Sequence, residues 1–262
     1  MFADNSISKY RPIWLIGIIG LFSSICYTVY YGEWMYWLAS YIYFRVLWFF
    51  TNGIGLHRYF AHRTFKTGPL RHQFLCWISV LGGAGSPFSW AIHHRHHHRH
   101  SDTENDLHSP KFNKFLSFTG LWAILPLEWW QHKQVNVIPR DLYRDKTVMF
   151  INHNYSLIWF LIFTLSILID WKFCLFFVMA PVGWNLLHGS VTNCLSHMKL
   201  PGSYRNHNTL DNSYNNTVVN WYLLGEGLHN NHHAEPGNYN QAHAPGEFDL
   251  GAWIIKKFFY VT

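Results

Sequence analysis

The sequence predicts an all-α, multi-pass membrane protein, with four transmembrane helices beneath a polar, histidine-rich helical cap. Three observations carry that expectation. Hydrophobic residues make up 49% of the 262 residues and charged residues only 13%, about half the charged share of a soluble domain. Aromatic residues reach 19%, with 14 Trp, a composition suited to anchoring at bilayer interfaces. Mean hydropathy is nevertheless near zero, which we read as an average over apolar spans and a polar part that holds nearly all of the 19 histidines.

A helix needs about 20 apolar residues to cross a bilayer. Residues 13–31 qualify and carry no charge. The run is long and has no small-residue cleavage site close behind it, so it reads as a first span rather than a cleaved signal. After the break at Gly32-Glu33, residues 34–56 form the second span, with Arg45 in its middle. A charge at that depth is expected to face protein or a cavity. Residues 74–92 are apolar but interrupted by Gly82, Gly83, Gly85 and Pro87. They read as either a crossing or a segment that dips and returns. Residues 115–130 are amphipathic and Trp-rich and are expected to lie along the interface. Spans three and four are 155–169 and 171–194, joined at Asp170; the first is short unless 151–154 extend it. No repeat or linker divides the chain, so residues 1–262 read as one domain.

Charge placement orients these spans. Of 20 Lys and Arg, 18 fall on one side of the four-span arrangement; Arg45 and Lys172 are the exceptions. The positive-inside rule places that side, both termini and the cap (57–154 and 195–262) in the cytoplasm. A fifth crossing at 74–92 would split the histidine clusters between two sides, which argues against it. The net charge of +6 is not massed in a patch, so it does not point to nucleic acid. Cys26, Cys76, Cys174 and Cys194 are scattered without a C-x-x-C pair and read as buried reduced thiols.

Three histidine clusters share the cap side: His57-Arg-Tyr-Phe-Ala-His62, the run His93 to His100, and His229-Asn-Asn-His232-His233. Residues three and four apart share a helix face, so an H-x-x-H-H array presents three imidazoles together. Neutral imidazole is a ligand for iron, zinc and copper. One such array alone fits a solvated helix equally well; three on one side of one membrane point to a metal centre. The second cluster fits the spacing in two frames, starting at His93 or at His94.

With their flanks, these stretches resemble the membrane fatty acid desaturase family of the delta-9 stearoyl/acyl-CoA type and its bacterial relatives. The matching segments are His57 to Lys66, His94 to Glu104, and Gly225 to His233, within a resemblance covering roughly residues 35–240. The trailing Ser-Asp-Thr-Glu favours the His94 frame. The resemblance implies a di-iron site ligated by His57, His62, His94, His97, His98, His197, His229, His232 and His233, with Asn193 reaching iron through a water. Metal-bound imidazoles usually donate their other N–H to a carboxylate or carbonyl; Asp102, Glu104, Asp106 and Glu226 lie closest in sequence for that role. No Glu-x-x-His pair sits within a span, which disfavours a carboxylate-bridged soluble bundle.

The activity so implied is insertion of a cis double bond, at the delta-9 position, into a saturated acyl chain. An unactivated methylene C–H bond requires a redox metal and O2, and zinc has no redox chemistry. The expected substrate is an acyl chain on coenzyme A, phospholipid or carrier protein, lying in an apolar tunnel. Ile92 and His93 stand where animal acyl-CoA enzymes carry charged residues, so the carrier stays open; Arg63, Lys66 and Arg71 are candidates to meet a head group. Electrons are expected from a separate donor such as cytochrome b5, ferredoxin or rubredoxin. Two other readings stand beside this one: a histidine-box lipid hydroxylase or carotenoid-modifying oxygenase, and a histidine-rich metal transporter. The transporter predicts polar or acidic residues within the spans, of which Arg45 is the main example.

Overall fold

The computed structural model describes residues 7–106, 108–124 and 137–260. Among them the chain is mostly helical, with one two-stranded antiparallel sheet. Three helices are long and apolar enough to cross a membrane: α1 (Arg11–Tyr31), α8 (Lys146–Ile169) and α9 (Trp171–Ser196). Helix α1 opens with Pro12 in its first turn and stops at Gly32, which takes the left-handed conformation (φ 73°) that a side chain would disfavour. Its buried face runs Gly17, Gly20, Leu21, Ser24 and Thr28. Small residues at this spacing let helix backbones approach closely in lipid, and α1 packs along α9 there: a Cβ on Gly183 would lie 2.3 Å from the Gly17 carbonyl oxygen. The opposite face of α1 exposes Leu15, Ile19 and Phe22, and α8 exposes Leu157, Phe160 and Leu161, the apolar belt that a bilayer would cover.

The expected second span departs from the other three. Helix α2 (Trp34–Trp48) is α-helical for 15 residues and continues as π-helix over Phe49–Ala61. Nearly all of the π-helical part is buried, so it is enclosed by protein. Arg45 faces protein as expected, donating to the Tyr222 carbonyl with its guanidinium 4.5 Å from that ring's centroid. Residues 74–92 do not form one continuous helix. Helix α3 (Pro69–Leu81) and helix α4 (Pro87–His100) meet at a turn in which Gly83 and Gly85 have positive φ. The turn's backbone is satisfied from three helices: Trp14 Nε1 donates to Gly83 O (2.8 Å), Tyr155 Oη accepts from Gly85 N (3.0 Å), and Asn185 Nδ2 donates to Gly82 O.

Helix α8 begins at Lys146, two turns earlier than the apolar run, because Asp145 caps it through the Thr147 and Val148 amides (both 3.0 Å). Asp170 caps α9 through Phe173 N (2.8 Å). At that end Lys172 bonds Glu33 (3.0 and 3.2 Å), tying the α1–α2 and α8–α9 turns together. The expected interfacial stretch 115–130 lies outside the described residues from 125 onward. Its first part is two short helices, α5 (Lys114–Thr119) and α6 (Leu121–Ile124), around Gly120, followed later by α7 (Arg140–Tyr143). Strands β1 (Ser203–Tyr204) and β2 (Asn215–Asn216) precede α10 (Thr217–Leu223), α11 (His229–Ala234) and α12 (Leu250–Ile254). The cysteines are all free, but Cys26 is exposed on α1 rather than buried; at its position the helix turns outward.

Candidate metal centre

The first histidine pair is five residues apart. On an α-helix that separation turns side chains roughly 140° from each other. The π-helical end of α2 removes the mismatch: His62 N donates to His57 O, a bond across five residues (3.1 Å), which brings the two rings edge to face with centroids 5.1 Å apart. Helix α4 carries the second cluster and α11 the third, while His197 caps α9.

Their imidazoles converge in two groups that could each hold a metal ion: His57, His62, His94, His98 and His232, and His97, His197, His229 and His233. The chain-adjacent pairs His97/His98 and His232/His233 place one member in each group, so the groups adjoin; the His98 and His233 rings stack at 4.3 Å. Of the two frames of the second cluster, the grouping includes His94 and not His93. His96 is buried, with Nε2 3.0 Å from the Asn105 carbonyl.

The fit to a metal rests on where the lone pairs point. In the first group neighbouring Nε2 atoms lie 2.7–3.1 Å apart, close to the roughly 3 Å spacing of donors at right angles around an ion with bonds of about 2.1 Å. Four carboxylates face the far ring nitrogens: Glu226 on His57 (2.6 Å), Asp106 on His97 (3.0 Å), Asp102 on His197 (2.9 Å) and Asp211 on His233 (2.8 Å). Each holds a proton on Nδ1 and leaves Nε2 bare and facing inward. Nε2 of His197 and of His233 both face Nε2 of His229 (3.2 and 3.1 Å), which has at most one proton to offer. His97 Nε2 is buried with no hydrogen-bond partner. Converging bare nitrogens in a buried site are an arrangement that a cation stabilises.

Protonation states agree. Burial, then the neighbouring imidazoles, holds His62, His94, His98, His229, His232 and His233 well below the ordinary histidine value, as neutral donors. His97 is the exception: burial lowers its pKa, but Asp106, with Asp102 and Asp211, raises it above the ordinary value. Burial would raise the carboxylates, yet hydrogen bonds and ion pairs win. Asp102 is held at about 2, chiefly by His197, Ser109 and the Asn212 amide, and Asp106, Asp211 and Glu226 lie well below the carboxylate range.

Of the four carboxylates expected beside the clusters, Glu104 is not there. It is exposed, because the turn after α4 points Asp102 and Asp106 inward and residues 103–105 out. Asp211 stands fourth instead, from a loop that no spacing rule marks. Arg58 was missed too. It is 1% exposed and bridges Glu226 (2.8 Å) and Asp249 (2.8 Å), fixing the carboxylate that orients His57. Asn193 lies one turn before His197, and its Nδ2 donates to the His108 carbonyl (3.0 Å). Arg63, Lys66 and Arg71 are exposed around the α2–α3 connection; Arg63 Nε is 3.6 Å from Asp141.

A cavity of about 200 Å³ reaches the centre. His57, His94, His97 and His229 form its inner wall, and Trp14, Ala84, Trp90 and Leu186 line its apolar part. Fold and site together define a helical protein with membrane-length helices, two adjoining polyhistidine groups that could hold metal, and a largely apolar cavity against both.

Comparison with known proteins names the class. The fatty acid desaturase family model matches residues 32–244. The chain is 30% identical over 194 residues to an sn-1 stearoyl-lipid 9-desaturase of Anabaena variabilis, covering 72% of this chain and 69% of that one. It is 30% identical over 244 residues to delta-9 acyl-lipid desaturase 2 of Arabidopsis thaliana (86% and 73%). A stearoyl-CoA desaturase of Capra hircus matches at 30% over 196 residues, 71% of this chain but 54% of the goat enzyme. The chain belongs to the fatty acid desaturase family, whose members are metal-dependent oxidoreductases of fatty acyl chains.

Proposed function

We propose that this protein uses O2 and two external electrons to place a cis double bond, at the delta-9 position, in a saturated acyl chain. The observation that carries the reading is the cavity: a largely apolar space lined by histidines of both groups. Iron bound there would supply the redox chemistry that an unactivated C–H bond requires. His57, His62, His94, His98 and His232 would hold one ion, and His97, His197, His229 and His233 the other, with Asn193 acting through a water. Asp102, Asp106, Asp211 and Glu226 keep the ring protons on Nδ1, and Arg58 keeps Glu226 in place. The cavity walls hold one carbon–carbon bond against the centre and exclude water, which is the positional part of the catalysis.

Four spans, with α2 as the second, and a cytoplasmic cap complete the reading. The Glu33–Lys172 tie at the end away from the histidines and the one-sided Lys and Arg distribution support it. Arg63, Lys66 and Arg71 stand where the anionic head group of a coenzyme A, phospholipid or carrier-protein substrate would meet the surface. A separate cytochrome b5-, ferredoxin- or rubredoxin-like protein would deliver the electrons. The test is expression in a desaturase-deficient host, with lipids identified by mass spectrometry. Loss of two hydrogens from an acyl chain is the expected product; gain of one oxygen, or no change in an iron-loaded protein, would overturn it.

A further inference from the structure

Glycine in a helix interior costs about 0.5–1 kcal/mol relative to alanine, so each one within a span calls for a reason. For Gly17, Gly20 and Gly183 the reason is packing: an added Cβ would lie 2.6, 2.3 and 2.3 Å from the nearest atom of the facing helix. Gly189 has no such neighbour. It lies inside α9 without a positive φ, so no left-handed turn requires it. An added Cβ there meets no atom of the described residues within 4 Å. The open space is the cavity. Asn185, Leu186, Thr192 and Asn193 line it together with Gly189. Standing three and four residues to either side, they make one face of the helix with Gly189 at its centre. His197 caps the end of α9 at the metal centre, so counting backwards leads away from the histidines. Gly189 is one turn, about 6 Å, before Asn193, and the cavity continues past it to Asn185.

A side chain at position 189 would therefore enter the cavity and not the protein's own packing. Alanine would favour the helix and take up part of that space; glycine leaves it open. We propose that Gly189 is a specificity-determining residue for acyl-chain length: the tail beyond the reacting carbons runs along this face of α9 and crosses the bare backbone at Gly189. An extended chain advances roughly 1.2 Å per bond, so the roughly 6 Å from Asn193 to Gly189 spans about five bonds. Tails that end sooner stop short of Gly189, and longer ones cross it. This rests on the reading of the cavity as the acyl site.

The test is a chain-length profile. Iron-loaded wild type, Gly189→Ala, Gly189→Val and Gly189→Leu, each with a reduced donor, are given a ladder of saturated chains on one carrier, and kcat/KM is read for each length. Chains long enough to cross position 189 should lose about tenfold or more in Gly189→Leu, or about 1.4 kcal/mol in selectivity. Chains that stop short should keep their rate, and the alanine and valine variants should fall between in order of size. Thermal stabilisation of the loaded protein by each chain, read without turnover, should follow the same order, because the loss is one of binding. Gly189→Ala without substrate should melt no lower than wild type, since alanine is the better helix former; this variant carries the test should the larger side chains disturb the fold. A lower melt would give the glycine a packing role and overturn the proposal. A length profile unchanged in every variant, or an equal loss at all lengths, overturns it too, and with wild type still desaturating leaves the desaturase reading standing. Failure of every chain to be converted by wild type or to stabilise it overturns both.

Discussion

The Asp211→Asn substitution isolates what a carboxylate contributes to this centre. Asp211 Oδ1 accepts from Thr209 Oγ1 (2.8 Å), Ser213 N (3.0 Å) and Ser213 Oγ (2.5 Å), while Oδ2 faces His233 Nδ1 (2.8 Å). Three donors on one side force the asparagine's carbonyl oxygen into the Oδ1 place. Its NH2 then faces His233 Nδ1, which must become an acceptor, and the ring proton moves to Nε2, where it blocks the lone pair aimed at the second group. Loss of such an outer partner typically lowers metal affinity 10–100-fold, or about 1.4–2.8 kcal/mol. The side chain keeps its shape and three of its four bonds, so unfolding should hardly change. The assay is iron content by elemental analysis during a chelator titration. Wild type should hold two ions to a chelator strength at which Asp211→Asn holds one. Equal retention of both ions would refute the argument that the carboxylate fixes the tautomer.

Three further outcomes follow from the same coordinates. His94→Ala should lose iron from the first group, whereas His93→Ala should keep the full metal stoichiometry, as measured by elemental analysis; the reverse pattern would restore the other frame of the second cluster. Arg58→Ala leaves Glu226 and Asp249 buried without their cation. Breaking such a pair costs about 3–5 kcal/mol, so the melting temperature in detergent should fall sharply, and an unchanged melt would mean that water replaces the guanidinium. Gly183→Val would drive a side chain into the Gly17 carbonyl, 2.3 Å from the added Cβ. Overpacking typically costs 1–3 kcal/mol, and detergent melting together with protease sensitivity of α1 should report it.

Three membrane-length helices were legible because crossing a bilayer demands a length and an apolar composition that few other structures share. The break between α3 and α4 was legible because Gly82, Gly83, Gly85 and Pro87 interrupt an otherwise apolar run. The first turns of α8 were not, because Asn152, His153 and Asn154 look like loop. Asn152 is in fact buried, with Oδ1 accepting from the Ser86 hydroxyl (2.6 Å) and from Tyr10 Oη (3.4 Å). A polar residue whose partners come from residues 66 and 142 positions away cannot be told from a solvated one by its neighbours in sequence. The π-helical end of α2 was hidden from hydropathy alone. Hydropathy reports that a segment is apolar and says nothing of how many residues make its turn.

At the candidate metal centre, which histidines converge was legible in the sequence and how they are oriented was not. Spacing on a helix brings His94, His97 and His98, or His229, His232 and His233, to one face, and that is a local property. Orientation comes from carboxylates chosen by the fold. Nearness in sequence found Asp102, Asp106 and Glu226 but also Glu104, which the same turn points away; it could not find Asp211, 22 residues from the histidine it holds. The Asn230-Asn231 pair between the third-cluster histidines makes the same point. Both are fully buried, and their amides donate to Asn215 Oδ1 (2.9 and 3.2 Å). Residues that look like spacers are the clamp that fixes α11 to β2. The five-residue interval of the first cluster, read without the fold, conflicts with the α-helix around it. A pair of histidines bound to converge on one point at that interval requires a wider turn, so the mismatch itself was the sequence's mark of the π-helix.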